Sequence, residues 1–532
     1  MTENPSAARA LSGRQIAQAA SVVMLAFVLS GVLGILRQMA ISSTFGAGAK
    51  LDAFVAAQRV PETLFVLVAG GALGSAFIPV FTRFLTKGDT AGAWRLASGV
   101  ITLLLVVTTI LAALAFVLAG PLARYLLVPS AADATQDLTI ELMRIMLLTV
   151  IIFSVSGLLM GILNAHQHFW APALAPSLYN VGLIFGALVL ARDGNVYGLA
   201  WGAVIGAGLH LAIQLPVVWR LDFRYRPALS LQVPGVREVL MLMGPRVLGL
   251  GVVQVNFWVN TALASGMMEG SNTALTVAFT LMFTVLGVLG QSVGTVVFPT
   301  LSTLGAAADR DEFRRTLAGA LSSVLFLSIP AGIGLAVISR PVVALLFERG
   351  EWTATDTAGT AWALAFFSVG LAAHSVLEVL VRAYYALHDT WTPVKVGVAT
   401  MLLNIALSLV LIYVFGFPDN EDFGRGPFGG LALAMTIATT LESSILWVIL
   451  RRRIGGINER RVLGGAARTL LASGAMALAS GIVVAMIDGA HVLFEVIGGL
   501  GVGVAVFWVA ALVLDVEEAE LVPRMVIQRL RS

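Results

Sequence analysis

The stretch AHQHFWAP (165–172) is answered by ALHDTWTP (386–393), 221 residues further along the chain. Both obey the pattern A-x-x-x-x-W-x-P. A second pair keeps almost the same offset: GSAFIP (74–79) and GTVVFP (294–299) lie 220 residues apart. Chance supplies one short match readily and two in register far less so. The chain therefore reads as a duplication, and a repeat of this length frames every local feature inside it.

What is duplicated is a set of membrane spans. Of 532 residues 58% are hydrophobic and 12% charged, against about 25% charged in a typical soluble domain, and the mean hydropathy is +0.91. Apolar blocks of about 20–30 residues, the length a helix needs to cross about 30 Å of hydrocarbon, recur along the chain between Gly, Pro and charged residues. Lipid offers a backbone no hydrogen-bond partners, so each block is read as a helix. Fourteen are expected: 16–44, 52–84, 92–119, 137–164, 173–192, 196–219, 235–267, 272–304, 312–338, 355–388, 391–416, 425–452, 464–486 and 490–514. The first has no small-residue cleavage site and reads as a retained helix rather than a signal peptide. The lack of cysteine removes disulfides, thiolate metal sites and cysteine nucleophiles. A net charge of +3 is too small to imply a nucleic-acid partner.

The expected fold class is therefore all-α integral membrane, with six-helix halves at 1–230 (spans 1–6) and 231–455 (spans 7–12), then spans 13 and 14 with a tail over 456–532. Six is even, so both halves enter the membrane in the same direction and their pseudo-two-fold axis lies along the membrane normal. Of the Lys and Arg flanking the spans, 23 fall on the face holding the N-terminus and six on the other, namely Lys50, Arg124, Arg192, Arg340, Arg349 and Arg425. Both termini are expected in the cytoplasm.

Duplicated bundles of this kind place a substrate cavity between the halves and rock one against the other. Charge inside a span costs about 2.5–3.5 kcal/mol on insertion scales and normally faces such a cavity or a partner. Arg37 lies about 12 Å of helix before Phe45. It either lines the cavity, with Gly31 and Gly34 bending the helix, or snorkels to the interface or pairs with Asp52. Asp52 is a cavity acid or the N-cap of span two, and Arg59 a ligand or an interfacial anchor. Arg246 follows Pro245, a kink, about 13 Å beyond Arg237. Gln254, Asn256 and Asn260 on span seven and Gln291 on span eight are polar companions or interhelical hydrogen bonds. Glu378 and Arg382, spaced i, i+4, read as a self-neutralising pair. Arg144, one turn from Glu141, reads as structural.

Enzyme motifs are weak. DRD at Asp309–Asp311 reads as a charged helix start, and His166, His168 and His388 lack HExxH spacing. There is no nucleotide loop, no nucleophile elbow and no extramembrane domain large enough for a catalytic core. No enzyme and no cofactor are expected. The energy source would be an ion gradient with a coupling cation of open identity, the membrane potential, or substrate flux.

Four stretches carry a resemblance. LSGVLGILRQMAISSTFGAGAKLDAFVAAQRVPE (29–62), GGALGSAFIPVF (70–81), LNAHQHFWAPALAPSLYN (163–180) and RAYYALHDTWTPVKV (382–396) resemble motifs of the MurJ/MviN lipid II flippases, across spans 1–12, and fourteen spans is that family's number. The resemblance implies the MOP exporter fold. It implies transport of undecaprenyl-pyrophosphate-linked peptidoglycan precursor from the cytoplasmic to the outer leaflet of a bacterial cell membrane, in service of cell-wall biogenesis. Arginine presents a fork of donors to phosphate oxygens. Arg37 is thus expected as a headgroup clamp, in a substrate site with Asp52, Arg59, Arg246, Gln254 and Gln291. Other members carry further cavity arginines where this chain reads Gly31, Phe65 and Thr280, so Arg246 and Arg59 are expected to supply charge in their place.

Three alternatives stay open. A flippase for another polyprenyl-linked glycan fits the same residues. A cation-coupled small-molecule or multidrug exporter shares the fold class but stops at twelve spans. An integral-membrane glycosyltransferase needs acidic residues in a loop larger than 339–354 or 417–424. The expected partners are the lipid-linked glycan and membrane lipid, for a monomer that contacts cell-wall synthesis proteins. The small residues of spans 13 and 14 (GGAARTLLASGAMALASG and GGLGVGVAV) permit close packing and a groove for the isoprenoid tail.

Overall fold

The computed structural model describes residues 13–68, 71–221, 223, 225–230, 232–307, 309–487, 489 and 491–520, and every regular element among them is helical. The chain forms two packed units, Met1–Asn272 and Thr273–Ser532.

Unit one contains α1 (Gly13–Phe45), α2 (Ala49–Val68), α3 (Gly71–Thr86), α4 (Thr90–Val117), the single turn α5 (Ala119–Pro121), α6 (Asp133–Ala165), α7 (Trp170–Phe185), α8 (Tyr197–Ala212), the short α9 (Leu215–Trp219) and α10 (Val236–Ala264). Helix α6 is its axle, packed along two faces. One face joins α2 and α8 in a cluster that includes Phe54, Leu142, Met146 and Leu199. The other joins α3 and α4 around Phe77, Phe81, Leu96, Leu158 and Ile162. Helices α7 and α8 meet through glycine. Gly182 and Gly186 face Gly206 and Gly202, and a Cβ on Gly186 would sit 2.6 Å from the Gly202 Cα. Small residues four apart let two backbones touch, which is how membrane helices associate without a hydrophobic driving force.

Unit two contains α11 (Ser271–Leu286, its first turn in unit one), α12 (Ser292–Ala306), α13 (Arg310–Val337), α14 (Ser339–Phe347), α15 (Ala354–Val369), α16 (Leu371–Ala386), α17 (Trp391–Val414), α18 (Phe428–Ile454), α19 (Glu459–Met486) and α20 (Val492–Val513). Here α13 is central, packed on α12, α15, α16 and α19. The small residues of the last two helices interlock as their composition implies. Gly499 and Gly503 lie against α19, and Ser480 Oγ donates to the Gly499 carbonyl at 2.9 Å.

The repeat recurs as repeated local structure. Gln167 (φ 62°) and His388 (φ 57°), 221 apart, both adopt the left-handed conformation that ends a helix. The next amides close the same bond, His168 to the Leu163 carbonyl at 2.9 Å and Asp389 to the Tyr384 carbonyl at 3.0 Å. Upstream, Asp89 caps α4 and Asp309, 220 residues on, caps α13, each accepting from an amide three residues later; both helices run 28 residues. DRD is thus a helix start, with Asp309 as its cap.

Among the described residues eleven helices are long and apolar enough to cross a membrane, twelve if α15 and α16, bent by 45°, count as one. Two of the fourteen expected spans are the charged ones. Span 52–84 falls on α2, with Lys50, Asp52, Arg59 and Glu62, and on α3, separated by positions outside the described residues. Span 235–267 falls on α10, with Arg237, Glu238 and Arg246. Helix α10 packs on α2 and α3, and the packing boundary at 272 lies one helix beyond the boundary expected at 230.

Candidate substrate site: intramembrane arginines of unit one

Arg37 is partly buried on α1, and its Nη1 donates to Asn180 Oδ1 on α7 at 3.0 Å. Asn180, buried, donates its own Nδ2 to the Ser30 carbonyl of α1 at 3.2 Å. One amide therefore grips both the guanidinium and the helix that carries it. The glycine contact between α7 and α8 fixes the helix on which that amide stands.

Arg59 sits on α2 with its side chain 16% exposed. Its Nε donates to Thr261 Oγ1 on α10 at 3.0 Å, and its guanidinium carbon lies 5.3 Å from the Phe257 ring centroid, a cation–π distance. Its Nη1 is 3.6 Å from Glu62 Oε2. One turn along, Trp258 Nε1 donates to Thr63 Oγ1 at 2.8 Å, and that hydroxyl donates to the Arg59 carbonyl at 2.6 Å. This ladder holds α10 against α2. Glu62 acts electrostatically on Arg37 as well as on Arg59, on Arg37 less than Tyr179 does. Two guanidiniums around one half-exposed carboxylate leave one net positive charge, the balance that attracts an anion.

The other candidates are differently placed. Asp52, 8% exposed, accepts from the Gly270 amide at 2.7 Å. Gly270 has φ +89° and a Cβ there would meet the Ala47 carbonyl oxygen at 2.6 Å, so Asp52 ties the turn before α11 to the start of α2. It also borders a polar cleft of about 100 Å³ with Ser130, Thr135 and Glu269. Gln254 is buried on α10. On the same helix Asn256 Oδ1 and Asn260 Oδ1 are buried acceptors without a donor among the described residues. The Arg246 side chain lies outside the described residues. Gln291, in unit two, ends the π-helical turn Gly287–Gln291 between α11 and α12 and is half-buried. Glu378 and Arg382 do pair, and Arg382 lies across Gly294, where a Cβ would come within 2.8 Å of its Nη1. Arg144 and Glu141 do not share partners. Arg144 stacks on Phe116, and Glu141 accepts from the Tyr197 hydroxyl.

At the positions where the family resemblance implies further arginines, Gly31 has no atom within 4 Å of a would-be Cβ, Phe65 packs on Phe153 at 5.0 Å, and the Thr280 hydroxyl bonds the Thr276 carbonyl at 2.7 Å. Asn180, Glu62, Phe257 and Thr261 were not among the expected site residues. Two of them had a visible signal, because Glu62 and Asn180 are the last residues of two of the stretches quoted above.

Comparison with known proteins follows the same lines. A MATE-family multidrug transporter of the MOP superfamily, solved in an inward-facing conformation, aligns with a TM-score of 0.60 at 15% identity, over 81% of this chain and 96% of that one. A solved lipid II flippase MurJ, inward closed, aligns with a TM-score of 0.76 at 24% identity, over 92% and 97%. The fold is thus the one shared by multi-pass membrane transporters of the MOP superfamily. Probable lipid II flippases MurJ of Vibrio cholerae (30% identity, 82% of each chain) and Bdellovibrio bacteriovorus (31%, 87% of this chain and 88% of that one) are similar over most of their length, as is the lipid II flippase MurJ of Burkholderia cenocepacia (30%, 80% and 82%). The family model for lipid II flippase MurJ matches residues 41–498, and the chain belongs to that family, one of transporters rather than enzymes.

Proposed function

We propose that this protein carries lipid II from the cytoplasmic to the outer leaflet of a bacterial inner membrane, by alternating access of two pseudo-symmetric six-helix halves, with spans 13 and 14 outside the repeat. The observation that carries the reading is the pair Arg37 and Arg59, held by Asn180 and Thr261 and sharing Glu62. Guanidiniums bind phosphate oxygens through paired N–H donors, and a pyrophosphate dianion is the part of lipid II that cannot cross hydrocarbon alone. The Asn256 and Asn260 oxygens on α10, without a donor among the described residues, supply acceptors for hydroxyl and amide donors of the sugar-peptide. Positive flanking loops support cytoplasmic termini.

The test is rescue of a bacterium depleted of its own lipid II flippase. Wild-type protein should restore growth and Arg59→Ala should not, at equal membrane abundance. Failure of well-expressed wild-type protein would refute lipid II as substrate, and full rescue by Arg59→Ala would remove that residue from the site.

A further inference from the structure

Unit two carries an acid at the centre of a span. Glu442 is the fifteenth of the 27 residues of α18, half-buried, and in no ion pair among the described residues. Its carboxyl leans on α17. A Cβ on Gly397 would stand 3.3 Å from Glu442 Oε1, and the neighbouring polar group is the Thr400 hydroxyl.

The helices around it bring no cation to this carboxyl. Helix α18 packs on α15, α16 and α17. The one charge on α17 is Lys395, exposed and two residues from Gly397, hence about 200° around the helix. The face of α16 turned to α18 is that of Tyr384, whose hydroxyl donates to the Leu446 carbonyl at 2.8 Å. Arg382 is two residues away, again about 200° around, paired with Glu378 and laid across Gly294 of α12. The two helices run the same way, since Asp389 beyond α16 pairs with Arg453 near the end of α18. His374, ten residues before Tyr384, therefore stands about 9 Å beyond the level of Glu442. Asp356, the one charge on α15, is taken up in a capping box. On α18 itself the nearest charge is Arg451, nine residues or about 13 Å along.

A carboxylate alone in hydrocarbon is costly, and the neutral acid is the form of lower energy. Thr400 suits that form. Its own proton goes to the Val396 carbonyl at 3.0 Å, so its oxygen faces Glu442 as an acceptor, and the two oxygens can bond only if the carboxyl brings the hydrogen. A metal ion would need several oxygen ligands, and the described residues hold no cluster of His, Asp and Glu to supply them. A glutamine of the same shape would fill the place without the cost of a charge. What the acid adds is a proton that can leave.

We propose that Glu442 is a proton-binding site, loaded as the neutral acid and emptied during the transport cycle, so that the coupling cation is a proton. The coupling rests on the function proposed above; the site itself does not.

Infrared spectra of the full chain reconstituted in vesicles test the site whatever lipid is carried. At about pH 7, where an ordinary glutamate is ionised, the difference between wild type and Glu442→Gln should contain the C=O band of a neutral carboxylic acid. Absence of that band would overturn the inference. So would its loss on adding Na⁺ or K⁺, which would make the occupant a metal ion. Rescue of a flippase-depleted strain tests the coupling. Glu442→Gln, at wild-type abundance and unfolding temperature, should lose rescue, and Glu442→Asp, which keeps an acid, should recover part of it. Full rescue by Glu442→Gln would refute coupling through this residue. Failure of the wild-type protein to rescue would instead refute lipid II, and the infrared band would still decide the site.

Discussion

Replacing Asn180 by aspartate changes one nitrogen into one oxygen and should silence transport while leaving the fold in place. In the wild-type protein the Asn180 carbonyl oxygen accepts from Arg37 at 3.0 Å, and the guanidinium keeps its full charge. A carboxylate at that distance would be a permanent counter-ion. Coulomb's law at 3.0 Å with an effective dielectric constant of about 20 gives roughly 5.5 kcal/mol of attraction. Desolvation of the new pair removes a large share of this. If half survives, a pyrophosphate competing for the same guanidinium binds roughly 100-fold more weakly. The second bond, Asn180 Nδ2 to the Ser30 carbonyl, is also lost, at about 0.5–1.5 kcal/mol. Asn180→Ala differs in kind: it frees Arg37 and keeps its charge, so substrate binding should fall less than in Asn180→Asp although the site is looser. Rescue of a flippase-depleted strain and binding of lipid II to the purified protein measure the two quantities. Full rescue by Asn180→Asp at wild-type abundance, or weaker binding by Asn180→Ala than by Asn180→Asp, would show that the Arg37 charge does not meet the substrate.

Two further expectations concern the frame. Gly202→Val puts a side chain where the Gly186 Cα already lies 2.6 Å from a would-be Cβ, so α7 and α8 must separate, at about 1–3 kcal/mol. Thermal unfolding in detergent should report that loss, while Gly208→Ala, inside α8 with no atom within 4 Å, should not lower the midpoint. At the loop between α16 and α17, burial alone would raise the Asp389 carboxyl. The Thr392 hydroxyl and amide and the Arg453 guanidinium outweigh it and hold Asp389 below the ordinary carboxylate range. Its folded pKa lies under its unfolded one, so its contribution is present above about pH 4 and is lost as the pH falls below that. Asp389→Ala should remove a cap contribution of about 1 kcal/mol and flatten the acid side of the stability profile, measured by unfolding between pH 3 and 6.

The membrane class and the repeat were legible because both are written in long-range pattern. Hydropathy names the helices, and the offset of 220–221 predicted what the structure repeats at Gln167 and His388. The charged spans were harder to follow, since α2 and α10 carry the charge that lowers the apolar signal, and nothing in the repeat said that α10 would pack on α2 and α3. Site residues split the same way. Arg37 and Arg59 stood out because charge in a span is conspicuous. Their pairing did not, even though Asn180 ends a family motif: Asn180 and Thr261 come from helices 143 and 202 residues away, and a polar residue in a span looks alike whether it serves its own helix, as Thr280 does, or another. Asp52 was visible as an acid, but its engagement with the Gly270 amide depends on a turn conformation that composition does not reveal.

The repeat also explains why the free charge resides where it does. Position 161 of the first half corresponds to 382 of the second. In unit one it is glycine, and the space a Cβ would take is occupied by the Phe77 ring, 3.3 Å away. In unit two it is Arg382, and the glycine is on the opposing helix, at Gly294. The same helix contact, α3 on α6 and α12 on α16, is thus filled once by an aromatic ring from one side and once by a guanidinium from the other. That guanidinium is cancelled by Glu378 one turn away on its own helix. Charge cancelled within one helix fills volume and leaves little field, whereas Arg37 and Arg59 come from two helices and share one carboxylate. Duplication accounts for the backbone that both units have in common. The proposed anion site rests on Arg37 of α1 and Arg59 of α2 rather than on the backbone that the units share.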